Sequence, residues 1–72
     1  MQIGDVVKSL KGRDKDRVYT IISIQGQIAY LANGRDRKVN NPKKKNQKHL
    51  EVIKKTEDYI ESDLNIRKYC KI

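Results

Sequence analysis

The chain has 72 residues, a formal net charge of +8 and neither Trp nor Phe, so it can build only a small core from Val, Ile, Leu and Tyr. Its single cysteine, Cys70, excludes an internal disulfide and a cysteine-based metal site, and indicates a reducing, cytoplasmic environment. No apolar stretch is long enough to span a bilayer and the first residues lack the pattern of a signal peptide, so we expect no membrane association.

The first fifty residues predict short strands separated by turns. A strand over 5–10 is followed by a polar loop over 11–17, and then by the strongest strand, 18–24, which is dense in β-branched residues. Strand alternation leaves two roles open for Tyr19: an outward ring that stacks on a base, or a core ring. The first role holds if the core face is the one that carries Val18, Thr20, Ile22 and Ile24.

The next segments predict a hairpin and two further strands. Gln25–Gln27 connects tightly to a strand over 28–32, and Asn33-Gly34 is typical of a two-residue turn in which both residues need φ > 0. Three segments follow that turn: a return strand over 36–39, an exposed basic loop over 43–47 and a fifth strand over 48–53.

Residues from Thr56 onward show helical spacing. Ile60 and Leu64 lie four apart, with Tyr59, Ile66 and Cys70 near the same stripe, and Ser62 is a candidate N-cap for a second short helix. One helix or two both fit this pattern. The chain is therefore predicted to be mostly β, with a small five-stranded antiparallel barrel over 1–53 and a helical appendage over 54–72, packed on or flanking the barrel.

Catalysis finds no support in the residues. His49 is the only histidine, which excludes a histidine pair, and Gly12-Arg13-Asp14-Lys15 lacks the spacing of a P-loop. Asp14, Asp16 and Asp36 each stand beside Lys or Arg, which favours local charge compensation over acid catalysis. We therefore expect no enzyme activity, no cofactor, no metal and no small-molecule substrate.

The positive charge is segregated in a way that favours a polyanionic partner. Residues 1–50 contain twelve Lys or Arg and four Asp or Glu, whereas residues 51–72 contain five of each. Loops that converge in a small barrel can bind phosphate through clustered cations. Three clusters meet this description: Arg13, Lys15 and Arg17; Arg35, Arg37 and Lys38; and Lys43, Lys44, Lys45, Lys48 and His49. For Lys43–Lys45 the alternative is a disordered, solubilising loop.

The segments Gly4–Ser9, Gly12–Lys15 and Val18–Ile22 resemble the KOW motif of several large-subunit ribosomal proteins and NusG-type transcription factors. The segments Ala32–Val39 and Pro42–Leu50 look like the branch related to the archaeal and eukaryotic fourteenth large-subunit ribosomal protein family, which includes small bacterial KOW-domain RNA-binding proteins. The resemblance covers about residues 3–52.

This resemblance implies an SH3-like β-barrel of the KOW type whose first loop meets ribosomal RNA. It implicates Gly12, Arg13, Asp14, Lys15 and Arg17, and the later segments add Lys43, Lys44, Lys45, Lys48 and His49. Asp16 replaces the characteristic glycine of the motif. Because Asp tolerates φ > 0, we expect the loop geometry set by Gly12, Asp14 and Asp16 to survive, although Asp16 lowers the positive charge at the tip.

The resulting hypothesis is a non-catalytic RNA-binding protein, ribosomal or ribosome-associated, that contacts structured RNA through basic loops and has ribosomal proteins as further partners. Two alternatives stay open: an SH3-like protein-interaction module that docks on an acidic protein partner, and a KOW module in transcription. The absence of Trp and Phe counts against a peptide groove with aromatic anchors.

Overall fold

The computed structural model describes residues 1–71 and shows a mostly β protein. The strands are β1 (Val6–Ser9), β2 (Val18–Gln25), β3 (Ile28–Ala32), β4 (Lys43–Asn46) and β5 (Leu50–Lys54); a 3-10 turn covers Gln47–His49, and one helix, α1, covers Asp63–Tyr69. The predicted first three strands and the β2–β3 hairpin are confirmed. Within residues 1–71 no helix has the length and apolar character needed to cross a bilayer.

The five strands form one antiparallel sheet in the order β4-β3-β2-β1-β5. β1 lies between β2 and β5, which places the N-terminal and C-terminal strands of the sheet side by side. β4 and β5 are the two edges, and no ladder joins them among the described residues. The predicted five antiparallel strands are therefore present, in a sheet that hydrogen bonds do not close into a barrel.

The fourth strand is not where the sequence predicts it. The return strand expected over 36–39 is wrong, and so is the exposed loop expected over 43–47, because Lys43–Asn46 is the segment that pairs with β3. Asn33 explains the difference. Its side-chain oxygen accepts hydrogen bonds from the backbone N–H groups of Arg35 (2.9 Å) and Arg37 (3.1 Å), while its own N–H donates to the Arg37 carbonyl at 2.8 Å. These bonds hold residues 33–37 in a compact loop, so the backbone groups that they engage cannot pair with a neighbouring strand.

The sheet buries both of its faces, and a β-bulge sets which residues lie on each. The inner face carries one cluster (Val7, Tyr19, Ile21, Ala29, Leu31 and Leu50) and the outer face another (Ile22, Ala32 and Ile66). The register between β2 and β3 shifts between Ile21 and Ser23, so Ile24 packs on the same face as Ile21. Tyr19 is only 1% exposed, so of the two roles left open for it the core ring is the one found.

The C-terminal segment covers the outer face. Ile66 of α1 is fully buried there, with Tyr59, Tyr69 and Cys70 around it. The helical prediction for 54–72 is right for 63–69, with Ser62 at the N-cap position as expected; position 72 lies outside the described residues. The predicted apolar stripe is wrong at two positions, since Ile60 and Leu64 are both more than half exposed.

Two glycines permit this close packing. Gly4 has a φ of +97° and lies against the Tyr59 ring, from which an added Cβ would be only about 3.1 Å away. Gly34 has a φ of +76°, and a Cβ there would collide with the Asp63 carbonyl and lie 2.8 Å from the Arg67 nitrogen. The helix can therefore rest directly on the chain that follows β3 only because residue 34 has no side chain.

We expect Gly34→Ala to destabilise the fold more than the backbone change alone explains. A left-handed residue other than glycine costs roughly 1–2 kcal/mol, and overpacking against α1 adds about 1–3 kcal/mol. Gly26→Ala is the matched control, because Gly26 also has a positive φ (+59°) but nothing within 4 Å of an added Cβ. Urea denaturation of both variants measures the difference. An equal loss of unfolding free energy in the two variants would show that α1 is not in close contact with residue 34.

Candidate nucleic-acid interface

The loop between β1 and β2, residues 10–17 (the first loop), is tightly folded. The Asp16 N–H donates to the Ser9 carbonyl at 2.8 Å, and the Arg17 N–H donates to the Asp14 carbonyl at 2.9 Å. Asp16 has a φ of 71°, which confirms the positive φ expected at this position. The loop thus presents the exposed side chains of Arg13 and Lys15 from a hydrogen-bonded backbone.

Asp14 is the anchor of the first loop and is almost completely buried. Its Oδ1 accepts hydrogen bonds from the Ser9 hydroxyl at 3.1 Å and from Lys45 Nζ at 2.7 Å. Lys45 Nζ also donates to the Lys11 carbonyl at 2.7 Å, so one ammonium group joins β4 to the loop at two points. Lys43 Nζ lies 3.8 Å from the other carboxylate oxygen, Oδ2.

The ionised form of Asp14 is favoured in this setting. Burial alone would raise its pKa, but hydrogen bonds from Lys45 and Ser9, together with the charges of Lys45 and Lys43, hold the pKa below its ordinary value. Asp14 is therefore a carboxylate at neutral pH. Its Oδ2 is buried without a hydrogen-bond partner among the described residues, which makes the nearby Lys43 charge its principal compensation.

The three consecutive lysines of β4 point to different faces of the sheet. Lys43 lies opposite Leu31 and Lys45 opposite Ala29, so both face inward, toward Asp14. Lys44 lies opposite Tyr30 on the outer face, with its Nζ 5.7 Å from the centroid of the tyrosine ring. The three lysines expected in an exposed basic loop therefore belong to a strand. Lys45, with a side chain only 11% exposed, is committed to Asp14.

The 3-10 turn carries Lys48 and His49 to the first loop. The Leu10 N–H donates to the His49 carbonyl at 2.9 Å. Partial desolvation and the positive charges of Lys11, Lys48 and Lys45 lower the pKa of His49. This histidine is therefore neutral at pH 7 and acts as a hydrogen-bonding group among cations. Lys11 was missed by the sequence analysis, although it directly precedes the motif's Gly12.

The second loop, residues 33–42, meets the first through an ion pair. Arg17 Nη2 donates to Asp36 Oδ1 at 3.0 Å, and the Asn33 amide donates to the same oxygen at 2.8 Å. The hydrogen bond from Asn33, a backbone hydrogen bond and, to a smaller extent, the Arg17 charge lower the pKa of Asp36 against the opposing effect of burial, so Asp36 is ionised at neutral pH. Asp36 thereby fixes the first loop to the second.

Helix α1 holds the second loop from the other side. Arg67 donates to the Gly34 carbonyl through Nε at 3.3 Å and Nη2 at 3.1 Å, and the Val39 N–H donates to Asp63 Oδ1 at 2.8 Å. Residues 51–72 together carry no net charge, yet the helix within them fixes the position of a basic loop. Neither contact can be inferred from the spacing of residues along the chain.

The structure thus sorts the predicted site residues into two groups. Lys43 and Lys45 support the loops from β4, Lys44 faces the outer surface, and Arg37 and His49 are half-buried. The other predicted cations are exposed, and together with Lys11 they form a set on the two loops and the 3-10 turn that we call the basic rim: Lys11, Arg13, Lys15, Arg17, Arg35, Lys38 and Lys48. Such a surface can bind a polyanion through several phosphates at once.

We expect Asp14→Asn to cost about 3–5 kcal/mol of stability at pH 7, because it leaves the buried Lys45 without its counter-charge. Since the folded-state pKa is lowered, the stabilisation by Asp14 is complete above the ordinary carboxyl pKa of about 4 and is lost as pH falls through the folded value. The difference between the wild-type and variant free energies of unfolding should therefore shrink between pH 5 and pH 2.

The exposed Asp16 supplies the control for this measurement. Asp16→Asn keeps a residue that tolerates φ > 0 and removes the same charge from the same loop, so we expect a change within about 0.5 kcal/mol. A penalty for Asp14→Asn that stays constant down to pH 2 would assign the effect to packing and contradict the ion-pair account.

Comparison with known proteins does not extend the motif resemblance. Neither a protein-family model nor a curated protein matches the chain. The function is therefore argued from the geometry of the basic rim itself.

Proposed function

We propose that this chain is a non-catalytic RNA-binding protein of the cytoplasm, ribosomal or ribosome-associated, that contacts structured RNA through the basic rim. The observation that carries the proposal is the convergence of exposed cations from three separate segments. The Arg17–Asp36 pair joins the two loops, and the bond from Leu10 to His49 joins the first loop to the 3-10 turn. These contacts bring the three segments together, so that several cations can reach one phosphate backbone at once.

The proposal includes an SH3-like barrel of the KOW type. It is supported by the central position of β1 between β2 and β5, and by the 3-10 turn that links β4 to β5. Leu50 from one edge strand packs in the same cluster as Ala29 and Leu31, which neighbour the other edge. A sheet whose opposite sides share one small core is strongly curved.

Backbone and shape recognition suits this surface better than base-by-base reading. Base readout in single strands relies on exposed aromatic rings. Tyr19 is buried, Tyr59 and Tyr69 pack against each other with centroids 6.3 Å apart, and Tyr30 has Lys44 over its ring. Phosphate contacts from the basic rim would supply most of the affinity, and the arrangement of the two loops would select the shape of the RNA.

We expect Arg13→Gln with Lys15→Gln to weaken binding of a structured ribosomal RNA fragment about tenfold at physiological salt. The log–log salt dependence should become shallower by about 1–2, because two phosphate contacts are lost. Lys54→Gln with Lys68→Gln is the matched control, since it removes two exposed cations that lie outside the rim. That control should change the affinity less than twofold.

The same salt series with duplex DNA separates the proposal from its alternatives. Preference for structured RNA over DNA of equal length supports the proposal. Equal affinity for both would favour a KOW module in transcription. Weak binding to both at physiological salt would overturn nucleic-acid binding and indicate an acidic protein partner.

A further inference from the structure

A cleft of about 320 Å³ opens between the first loop, the second loop and the C-terminal end of α1. This volume lies at the lower end of the range of small-ligand sites, about 300–1,000 Å³, and has room for a phosphate with its neighbouring ribose. Three of the lining side chains are cationic, and the rest are a buried amide, a valine and a thiol: Arg17, Arg35, Lys71, Asn33, Val18 and Cys70.

The side chain of Arg17 and the backbone of Arg35 are held in place before any ligand arrives. Asn33, which is buried, accepts a hydrogen bond from the backbone N–H of Arg35 at 2.9 Å and so fixes the origin of that side chain. Arg17 is oriented by its bond to Asp36. A guanidinium has five N–H donors, so this one bond leaves donors for a ligand. Arg35 forms no ion pair with any residue in 1–71, which leaves its charge available.

The third wall comes from the C-terminal segment. Lys71 comes after Cys70, the C-cap of α1, and the bonds from Arg67 to the Gly34 carbonyl keep the helix against the second loop. Cys70 packs in the outer-face cluster, with its Sγ 3.3 Å from the Thr20 hydroxyl. Burial raises the pKa of its thiol, while the Thr20 contact and the Arg35 charge oppose that rise. The positive charge of Arg35 therefore acts on the Cys70 thiol across the cleft.

Two guanidinium groups and one ammonium group line the cleft, and these are the groups that bind a tetrahedral anion. Arginine binds phosphate through paired donors, and lysine adds a point charge. Among residues 1–71, Asp36 is the one carboxylate hydrogen-bonded to the lining of the cleft, and its charge is already engaged by Arg17 and Asn33. The local balance therefore stays positive, and Arg17 makes the cleft continuous with the basic rim.

We propose that this cleft is a phosphate subsite, in which Arg17, Arg35 and Lys71 bind one backbone phosphate of the RNA. The inference rests on the proposed function and deepens it. The C-terminal segment then contributes directly to binding, in addition to holding the second loop.

The first test is the double variant Arg35→Gln with Lys71→Gln, which keeps the backbone N–H that Asn33 binds. We expect the affinity for the structured RNA fragment to fall about fivefold to tenfold, with a salt dependence shallower by about 1–2. Lys54→Gln with Lys68→Gln is again the matched control. Unchanged affinity in the folded double variant, with Arg13→Gln and Lys15→Gln still effective, would overturn the subsite and leave RNA binding by the rim intact.

The second test uses Cys70, the only thiol in the chain, as a reporter inside the cleft. Alkylation by anionic iodoacetate and neutral iodoacetamide is followed by mass spectrometry at pH 8.5. Because the cleft is positive, the ratio of the iodoacetate rate to the iodoacetamide rate should be severalfold higher in the folded protein than in 8 M urea. The Arg35→Gln and Lys71→Gln double variant should lower this ratio toward the urea value.

Ligands then identify what occupies the cleft. Saturating structured RNA should slow alkylation of Cys70 at least fivefold, whereas 10 mM inorganic phosphate should change it less than twofold. Protection by inorganic phosphate without protection by RNA would overturn the assignment to an RNA phosphate and make the cleft a site for a free anion. RNA binding with no protection of Cys70 would place the RNA elsewhere on the rim, and a failure to bind RNA would overturn both proposals.

Discussion

The buried carboxylate of Asp14 is the interaction on which the basic surface depends. Cations crowded onto two loops repel one another, and a domain of this size has little core energy with which to oppose the repulsion. A negative charge beneath the first loop, held by Ser9 and Lys45, offsets part of that repulsion and ties the loop to β4. Burying a charge is unfavourable unless partners surround it, so the loop conformation and the positions of the β4 lysines are determined together.

The C-terminal segment has a similar relation to the second loop. A helix of seven residues is too short to be stable by itself, so α1 exists because Ile66 is buried against the sheet. In return, Asp63 and Arg67 bind the backbone of the second loop. The neutral C-terminal part of the sequence thus determines where the positive charges of the second loop lie. The barrel and the helical appendage predicted from the sequence are therefore not independent of each other.

The limits of sequence-based prediction here have identifiable physical causes. β2 and β3 were predictable because β-branched residues and a tight turn are local signals, and the positive φ of Asp16 is the one that the motif resemblance implies. β4 was not, because its Lys-Lys-Lys-Asn sequence has no apolar alternation and is a strand only through its pairing with β3. The bulge after Ile21 likewise leaves no mark on the sequence, yet it places Ile24 on the same face as Ile21 and so interrupts the alternation of β2. Which lysines are free to bind a ligand depends on the burial of Asp14, and composition cannot reveal that burial.

The position of β4 at the edge of the sheet has a further consequence, for self-association. An edge strand offers unpaired backbone groups to any other strand, and this exposes proteins to aggregation. Here the edge strand carries the exposed Lys44, so a second copy that pairs with it in register would bring two uncompensated positive charges close together. The lysine that faces away from Asp14 therefore disfavours pairing of this small, highly charged chain with itself.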